Sequence, residues 1–341
     1  MTSSSTVQFL SPEEIATRAT GETAHLKFAE LPFVFRDRSL RLRQLAAGHA
    51  MREFLIFVAD VADAQHHVLN AHRSVTLPSQ DFLGEAARKG EPALAFPRWA
   101  LHDEWHQDLC DLLTQLQPRA QAAARSVIDK LQAQEPAHWQ QQAERLLSGI
   151  MLGLDMASAP LIGAALQVYW TRLVQRTQNA FPDLAFGPID NARVCPCCGS
   201  EPVASVSRIG SDEAGARYLH CGLCQTEWHM VRIKCSHCES TQDVTYQELE
   251  ATEDAGQATL VVPKGAVRAE CCGECGHYLK IVDMGKDAHV DPVADDLATV
   301  ALDLLVSDTG LQRHGVNFML LWGDPDEGGD AHSAIEHTGA S

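Results

Sequence analysis

The sequence predicts an α+β protein in which an N-terminal all-α helical bundle precedes two small metal-binding modules in tandem. Three observations predict it. Ten of the 11 cysteines lie between Cys195 and Cys275, and only Cys110 lies elsewhere. Over the first ~190 residues, apolar side chains recur at three- and four-residue steps, the period of amphipathic helices. Between the cysteine pairs, short β-branched and aromatic runs read as strands. With 341 residues and 45% apolar side chains, the chain can furnish more than one core.

The helical region, expected over residues 1–189, is read first. Leu45, Met51, Phe54, Leu55, Val58, Val61, Val68 and Leu69 recur at helical steps and predict one long helix over residues 40–72. Further helices are predicted over 102–116, 121–134, 138–152 and 160–178, interrupted at Pro118, Pro136 and Pro160. Trp99, His102, Trp105 and His106, and the set His66, His67 and His72, read as core aromatics and helix-end groups. Cys110 reads as a small buried hydrophobe. Residues 150–170 carry a single charge, Asp155, but Ser158 and Pro160 fall mid-segment and suit a helix start inside a core better than a membrane span. The stretch "FPDLAFGPIDN" lacks a helical period and predicts a linker near residue 190. At the other end, the acidic, Gly-rich residues 323–341 predict a disordered tail.

The cysteine-rich region holds four C-x-x-C pairs: Cys195/Cys198, Cys221/Cys224, Cys235/Cys238 and Cys272/Cys275. Two thiolates three positions apart on a tight turn can face one cation while backbone N–H groups point at the sulfurs, and two such knuckles complete a tetrahedral site. In "CPCCG", "CGLC" and "CGECG" a glycine lies inside or just after the pair, where positive φ is expected; "CSHC" has none. Strands are expected in "PVASVSRI", "ARYLH", "EWHMVRIK", "DVTYQEL", "TLVVP" and "YLKIVDM". Knuckle, strands, knuckle, twice over, is a rubredoxin-like or zinc-ribbon arrangement, with modules at 190–230 and 231–310, the second ending in a C-terminal helix. Four pairs allow three groupings. Chain order favours Cys195, Cys198, Cys221 and Cys224 in one site and Cys235, Cys238, Cys272 and Cys275 in the other. Cys197 and Cys271 are surplus, and His220, His229, His237 and His277 flank the knuckles. A four-sulfur site suits iron or zinc, so two ions per chain are expected without a choice between them.

Composition excludes several classes. The net charge is -18, and between Asp190 and Asp308 there are 20 acidic against 9 basic residues, a field that repels nucleic-acid backbones and anionic membranes. No Gly-rich phosphate loop, no G-x-S-x-G and no site with an open coordination position suggests an enzyme. The N-terminus "MTSSSTVQFLSPEE" has no basic residue and no signal-peptide core, so a cytoplasmic protein with reduced thiols is expected and metal is preferred to disulfides.

The ordered set "CPCCGS", "YLHCGLCQTEWH", "VRIKCSHCES" and "CCGECGHYLKIVDM", behind a helical half containing "PLIGAALQVYW", resembles the formate dehydrogenase accessory protein family, FdhE. The resemblance implies a non-catalytic cytoplasmic maturation factor for respiratory formate dehydrogenase. It also implies iron in rubredoxin-like sites and contact with the enzyme's catalytic subunit, with self-association left open. The family pattern falls on the eight knuckle cysteines and does not clearly include Cys197 or Cys271. An electron carrier and a nucleic-acid-binding zinc ribbon are the rival readings. The first does not need so large a helical half, and the second is opposed by the acidic charge.

Overall fold

The computed structural model describes residues 23–71, 73–209, 215–250 and 262–321. The predicted tail and His72 lie outside them. Among the described residues, seven helices precede the cysteine-rich region: α1 (Val34–Leu45), α2 (Arg52–Leu69), α3 (Gln80–Arg88), α4 (Glu104–Leu116), α5 (Ala122–Gln132), α6 (Pro136–Leu147) and α7 (Ala159–Ala180). The one long helix expected over residues 40–72 is therefore two. Gly48 at φ 77° leaves the helical region, and His49 Nδ1 accepts the Met51 N–H at 2.9 Å, so the chain turns between α1 and α2. The α3 helix, with Ser79 accepting the Phe82 N–H as its N-cap, was not expected.

The α7 helix is the centre of the bundle. Every residue from Leu161 to Val174 is buried, and a helix apolar on all sides must be surrounded. Pro160 sits in its first turn, where its missing N–H costs nothing. Trp99 and Trp105, read as core aromatics, lie in this core together with Tyr169 and Trp170. One buried ion pair crosses it, Arg172 to Asp108 at 2.8 Å. No helix among the described residues is long and apolar enough to cross a membrane.

Among the described residues, the second half and one N-terminal strand form a single eight-stranded sheet: β1 (Leu26–Lys27), β2 (Pro202–Ser207), β3 (Arg217–Cys221), β4 (Glu227–His229), β5 (Val244–Gln247), β6 (Val267–Cys272), β7 (His277–Asp283) and β8 (Gln312–Arg313). The order is β1-β4-β3-β2-β7-β6-β5, with β8 on β7. Antiparallel hairpins make each side, and the parallel pair β2–β7, Ser205 opposite Ile281, joins them. The N-terminal β1 adds an edge strand beside β4. The run "EWHMVRIK" is extended over only three residues, and β6, which carries Cys271 and Cys272, was not foreseen. Most of "TLVVP" lies outside the described residues.

Two short helices, α8 (Pro292–Ala298) and α9 (Val300–Ser307), lie against the sheet, where Leu302 and Val306 join Val206, Tyr218 and Tyr278 in a second core. The α8 helix also meets α1. Arg41 grips Asp295 with two nitrogens at 2.9 and 2.6 Å and reaches Asp287 at 2.8 Å, while Arg38 pairs with Asp291 at 3.1 Å. These bidentate, largely buried pairs tie the helical half to the sheet.

Candidate metal centres

The four knuckles share one backbone design. The N–H of the residue after the second cysteine bonds the first cysteine's carbonyl in three of them: Gly199 to Cys195 at 2.8 Å, Glu239 to Cys235 at 3.0 Å and Gly276 to Cys272 at 3.0 Å. That following residue has positive φ in all four: Gly199 72°, Gln225 62°, Glu239 63° and Gly276 69°. Glycine supplies the conformation in only two. Gly222 of "CGLC", expected to provide it, is not among the positive-φ residues; a Cβ there would stand 2.7 Å from the Val316 carbonyl oxygen, so it serves a close approach of backbone. Gln225 holds its left-handed conformation through its side chain. It accepts from Arg38 at 2.7 Å and donates to the Leu223 carbonyl at 3.1 Å.

The knuckles converge in two clusters. Cys195, Cys198, Cys221 and Cys224 bring four Sγ atoms within 4.8 Å of one another, with Cys195–Cys224 at 3.5 Å and Cys198–Cys221 at 3.4 Å. Cys235, Cys238, Cys272 and Cys275 do the same, with Cys235–Cys275 at 3.8 Å and Cys238–Cys272 at 3.7 Å. All eleven cysteines are free. Sulfurs at the corners of a tetrahedron around an ion ~2.3 Å away stand about 3.8 Å apart, whereas a disulfide needs about 2.05 Å. The spacing therefore fits a cation and not a bond. Backbone donors complete the fit: Leu223 and Cys224 N–H reach Cys221 Sγ at 3.3 Å, and His237 and Cys238 N–H reach Cys235 Sγ at 3.3 and 3.5 Å.

The two environments differ. The first cluster is buried at every sulfur and belongs to the same core as α7. The helical half closes over it through Gln167 to the Gly222 carbonyl at 2.7 Å, Leu94 N–H to the Cys197 carbonyl at 2.9 Å, and Trp170 to the Leu94 carbonyl at 3.1 Å. Burial pushes the thiols of Cys195, Cys198 and Cys221 well up, while their hydrogen bonds hold Cys224 well down against the same burial. Burial penalises each thiolate here, a cost that a bound divalent cation would offset in a four-thiolate site. In the second cluster Cys238 is exposed and Cys275 half-buried, so solvent reaches one side. Two clusters of four cysteines, each able to hold a metal ion, are the chemical centre of the second half.

Comparison with known proteins places this architecture. Residues 23–182, 194–232 and 233–320 match the family models "FdhE, N-terminal", "FdhE, central domain" and "FdhE, C-terminal domain". The "Protein FdhE homolog" of Serratia proteamaculans (strain 568) is 38% identical over 299 residues, 87% of this chain and 91% of that protein. The chain belongs to the FdhE family. "Protein FdhE" of Salmonella dublin is 36% identical over 88% of this chain and 92% of its own length. The crystal structure of the FdhE protein from Pseudomonas aeruginosa superposes with a TM-score of 0.77 at 34% identity, covering 88% of this chain and 100% of that one. Each of the two later FdhE models brackets one cysteine cluster.

The remaining sequence candidates divide. Cys197 is buried beside Cys195 and Cys224, and Cys271 lies in the sheet core, its thiol pushed up to about 11 by burial and the neighbouring Glu270. His220 is enclosed between Glu227 and Gln225, each at 3.2 Å, and His229 packs edge-on against Tyr218. His237 and His277 lie against the second cluster, stacked on each other. What the sequence reading missed are Gln225 and Glu239, the non-glycine residues that turn two knuckles.

Proposed function

We propose that this protein is an accessory factor needed to produce active respiratory formate dehydrogenase, acting in the cytoplasm by binding the enzyme's catalytic subunit. The observation that carries the reading is the pair of four-cysteine clusters set behind a helical half within an FdhE chain. Cys195, Cys198, Cys221 and Cys224 would hold one ion, and Cys235, Cys238, Cys272 and Cys275 a second, in rubredoxin-like modules spanning 190–230 and 231–310. Iron and zinc both suit four thiolates. When bound, such an ion supplies cross-linking and, for iron, a one-electron couple. The role is non-catalytic: the helical half, residues 1–189, and the sheet supply a docking scaffold. Cys197 and Cys271 are bystanders, an assignment their burial supports.

The decisive experiment is deletion of the gene and complementation with the wild type or a Cys235→Ser/Cys238→Ser variant. Formate-dependent dye reduction in membranes is expected to vanish in the deletion and the variant while the catalytic subunit is still made. Normal activity in the deletion strain refutes the assignment. A rubredoxin-type electron carrier is the second reading, favoured by the exposed Cys238 at one cluster. It predicts reversible reduction of anaerobically purified protein by a physiological reductase.

A further inference from the structure

Nitrogen donors adjoin the second cluster, on half-buried residues. His237, Cys275 and His277 each offer a ligand atom, and the three atoms lie within 4.8 Å of one another. His277 Nδ1 is occupied by the Cys275 carbonyl oxygen at 2.8 Å, which leaves its Nε2 available. Metal-bound histidines are commonly oriented in this way, with the second ring nitrogen anchored to a carbonyl. His237 Nδ1 is buried and has no hydrogen-bond partner. A buried, unpartnered ring nitrogen is a cost that a ligand would remove. The Arg193 guanidinium donates to the His237 carbonyl oxygen at 3.3 Å and its charge also bears on the His237 ring, while His314, its ring 5.3 Å from that of His237, is held by Ser236 at 2.8 Å.

We propose that His237 and His277, with Cys275 as a thiolate shared with the four-cysteine cluster, form a third cation site that takes a divalent first-row metal ion. The proposal rests on the reading that the Cys235, Cys238, Cys272 and Cys275 cluster holds an ion, because only then is Cys275 a bridging thiolate. Two imidazoles and one thiolate are borderline donors that suit zinc or ferrous iron. Three protein ligands leave a fourth position for water or an exogenous group, unlike the closed four-sulfur sites. The rings now stack with centroids 3.8 Å apart and planes 12° apart. Near-parallel rings cannot both aim a lone pair at one ion, so binding must splay them. That reorganisation, with the exposure of Cys238 alongside, makes the third ion weaker and more exchangeable than the two in the clusters.

The test uses the full chain with its clusters loaded, dialysed against graded Zn(II), with bound ions counted before and after a weak chelator. Wild type is expected to gain one ion beyond its tight complement and to lose that one alone to the chelator. His237→Ala and His277→Gln should each bind one ion fewer while keeping the tight complement. Imidazole nitrogen NMR of the wild type gives an answer free of any folding defect in the variants: His237 and His277 should shift with the extra equivalent and His314 should not move as a ligand does. Equal counts in wild type and both variants, or ring nitrogens that do not respond, overturn the third site. A tight complement below two instead defeats the cluster reading, and the ring shifts of the wild type still decide whether the histidines bind Zn(II).

Discussion

At the residue scale, the cysteine spacing was legible because four regularly spaced pairs of thiols three positions apart are the signature of metal knuckles, but the conformation of the turns was only half legible. Gly199 and Gly276 sit where positive φ is required, and glycine advertises that need. Gln225 and Glu239 occupy the same turn position with side chains that conceal it. Their substitution separates two reasons for a strained residue. A left-handed conformation costs a non-glycine residue roughly 1–2 kcal/mol, and the partly exposed pair of Glu239 with Lys234 returns at most about 1 kcal/mol. Glu239→Gly is therefore expected to leave urea stability within about 0.5 kcal/mol of wild type. Gln225 is buried and bonded to Arg38, His220 and two carbonyls, so Gln225→Gly should cost about 2–4 kcal/mol despite relieving the same strain. Equal effects in the two variants would sink the argument that the Gln225 network holds the second knuckle.

Among the elements, periodicity located most of the bundle, and it failed where one residue changed the backbone. Gly48 broke an apolar pattern that runs on unaltered in the sequence, since the stripe of α2 happens to continue that of α1. The parallel β2–β7 pairing had no local signal, because strands distant in sequence carry no record of their partner. The buried charges joining these elements were equally silent: Lys280, Asp296, Asp303 and Arg313 look like surface residues in the sequence. Lys280 meets Asp296 at 3.1 Å and Asp303 at 2.5 Å, and Arg313 meets them at 2.8 and 2.9 Å, so α8, α9, β7 and β8 share one charge-balanced cluster. Burial works against ionisation of Asp296, but Arg313 and Lys280 outweigh it and hold the carboxyl at about 2. A folded value below the ordinary 3.8 means stabilisation that is present above the ordinary value and lost as pH falls from about 4 towards 2. Its size is about 2 kcal/mol, and Asp296→Asn should flatten that part of the acid-unfolding curve, as measured by circular dichroism. At the α1–α8 contact, Arg41→Ala strips both partners' neutralisation and leaves Asp295 buried and unpaired. A loss of about 3–5 kcal/mol is expected, readable as a lowered denaturant midpoint. A loss below 1 kcal/mol would mean that the two halves are held chiefly by apolar contact.

For the whole molecule, the sequence made two modules in tandem the natural expectation, since each cluster is assembled from neighbouring knuckles. The fold binds them differently. Strands from both halves make one sheet, and the first cluster lies inside the core built around α7, whereas the second sits near the β5–β6 side with solvent on one face. Structural four-ligand ions contribute roughly 10 kcal/mol or more of folding free energy in small modules, against a net stability of about 5–15 kcal/mol for an ordinary domain. Where that contribution is coupled to the main core, its loss is global; where it is coupled only to a sheet margin, its loss is local. Cys195→Ser/Cys198→Ser is therefore expected to abolish cooperative melting of the helical half as well as the first ion, because four hydroxyls and thiols would be left uncompensated beneath Gln167, Leu94 and Trp170. Cys235→Ser/Cys238→Ser should keep the helical signal and one tightly bound ion, with new proteolytic cuts confined to residues 233–285. Metal analysis, far-UV circular dichroism and mapped limited proteolysis on the two variants decide it. If the first variant melts like the second, the cluster is a separable module and the helical half does not depend on the ion beneath it.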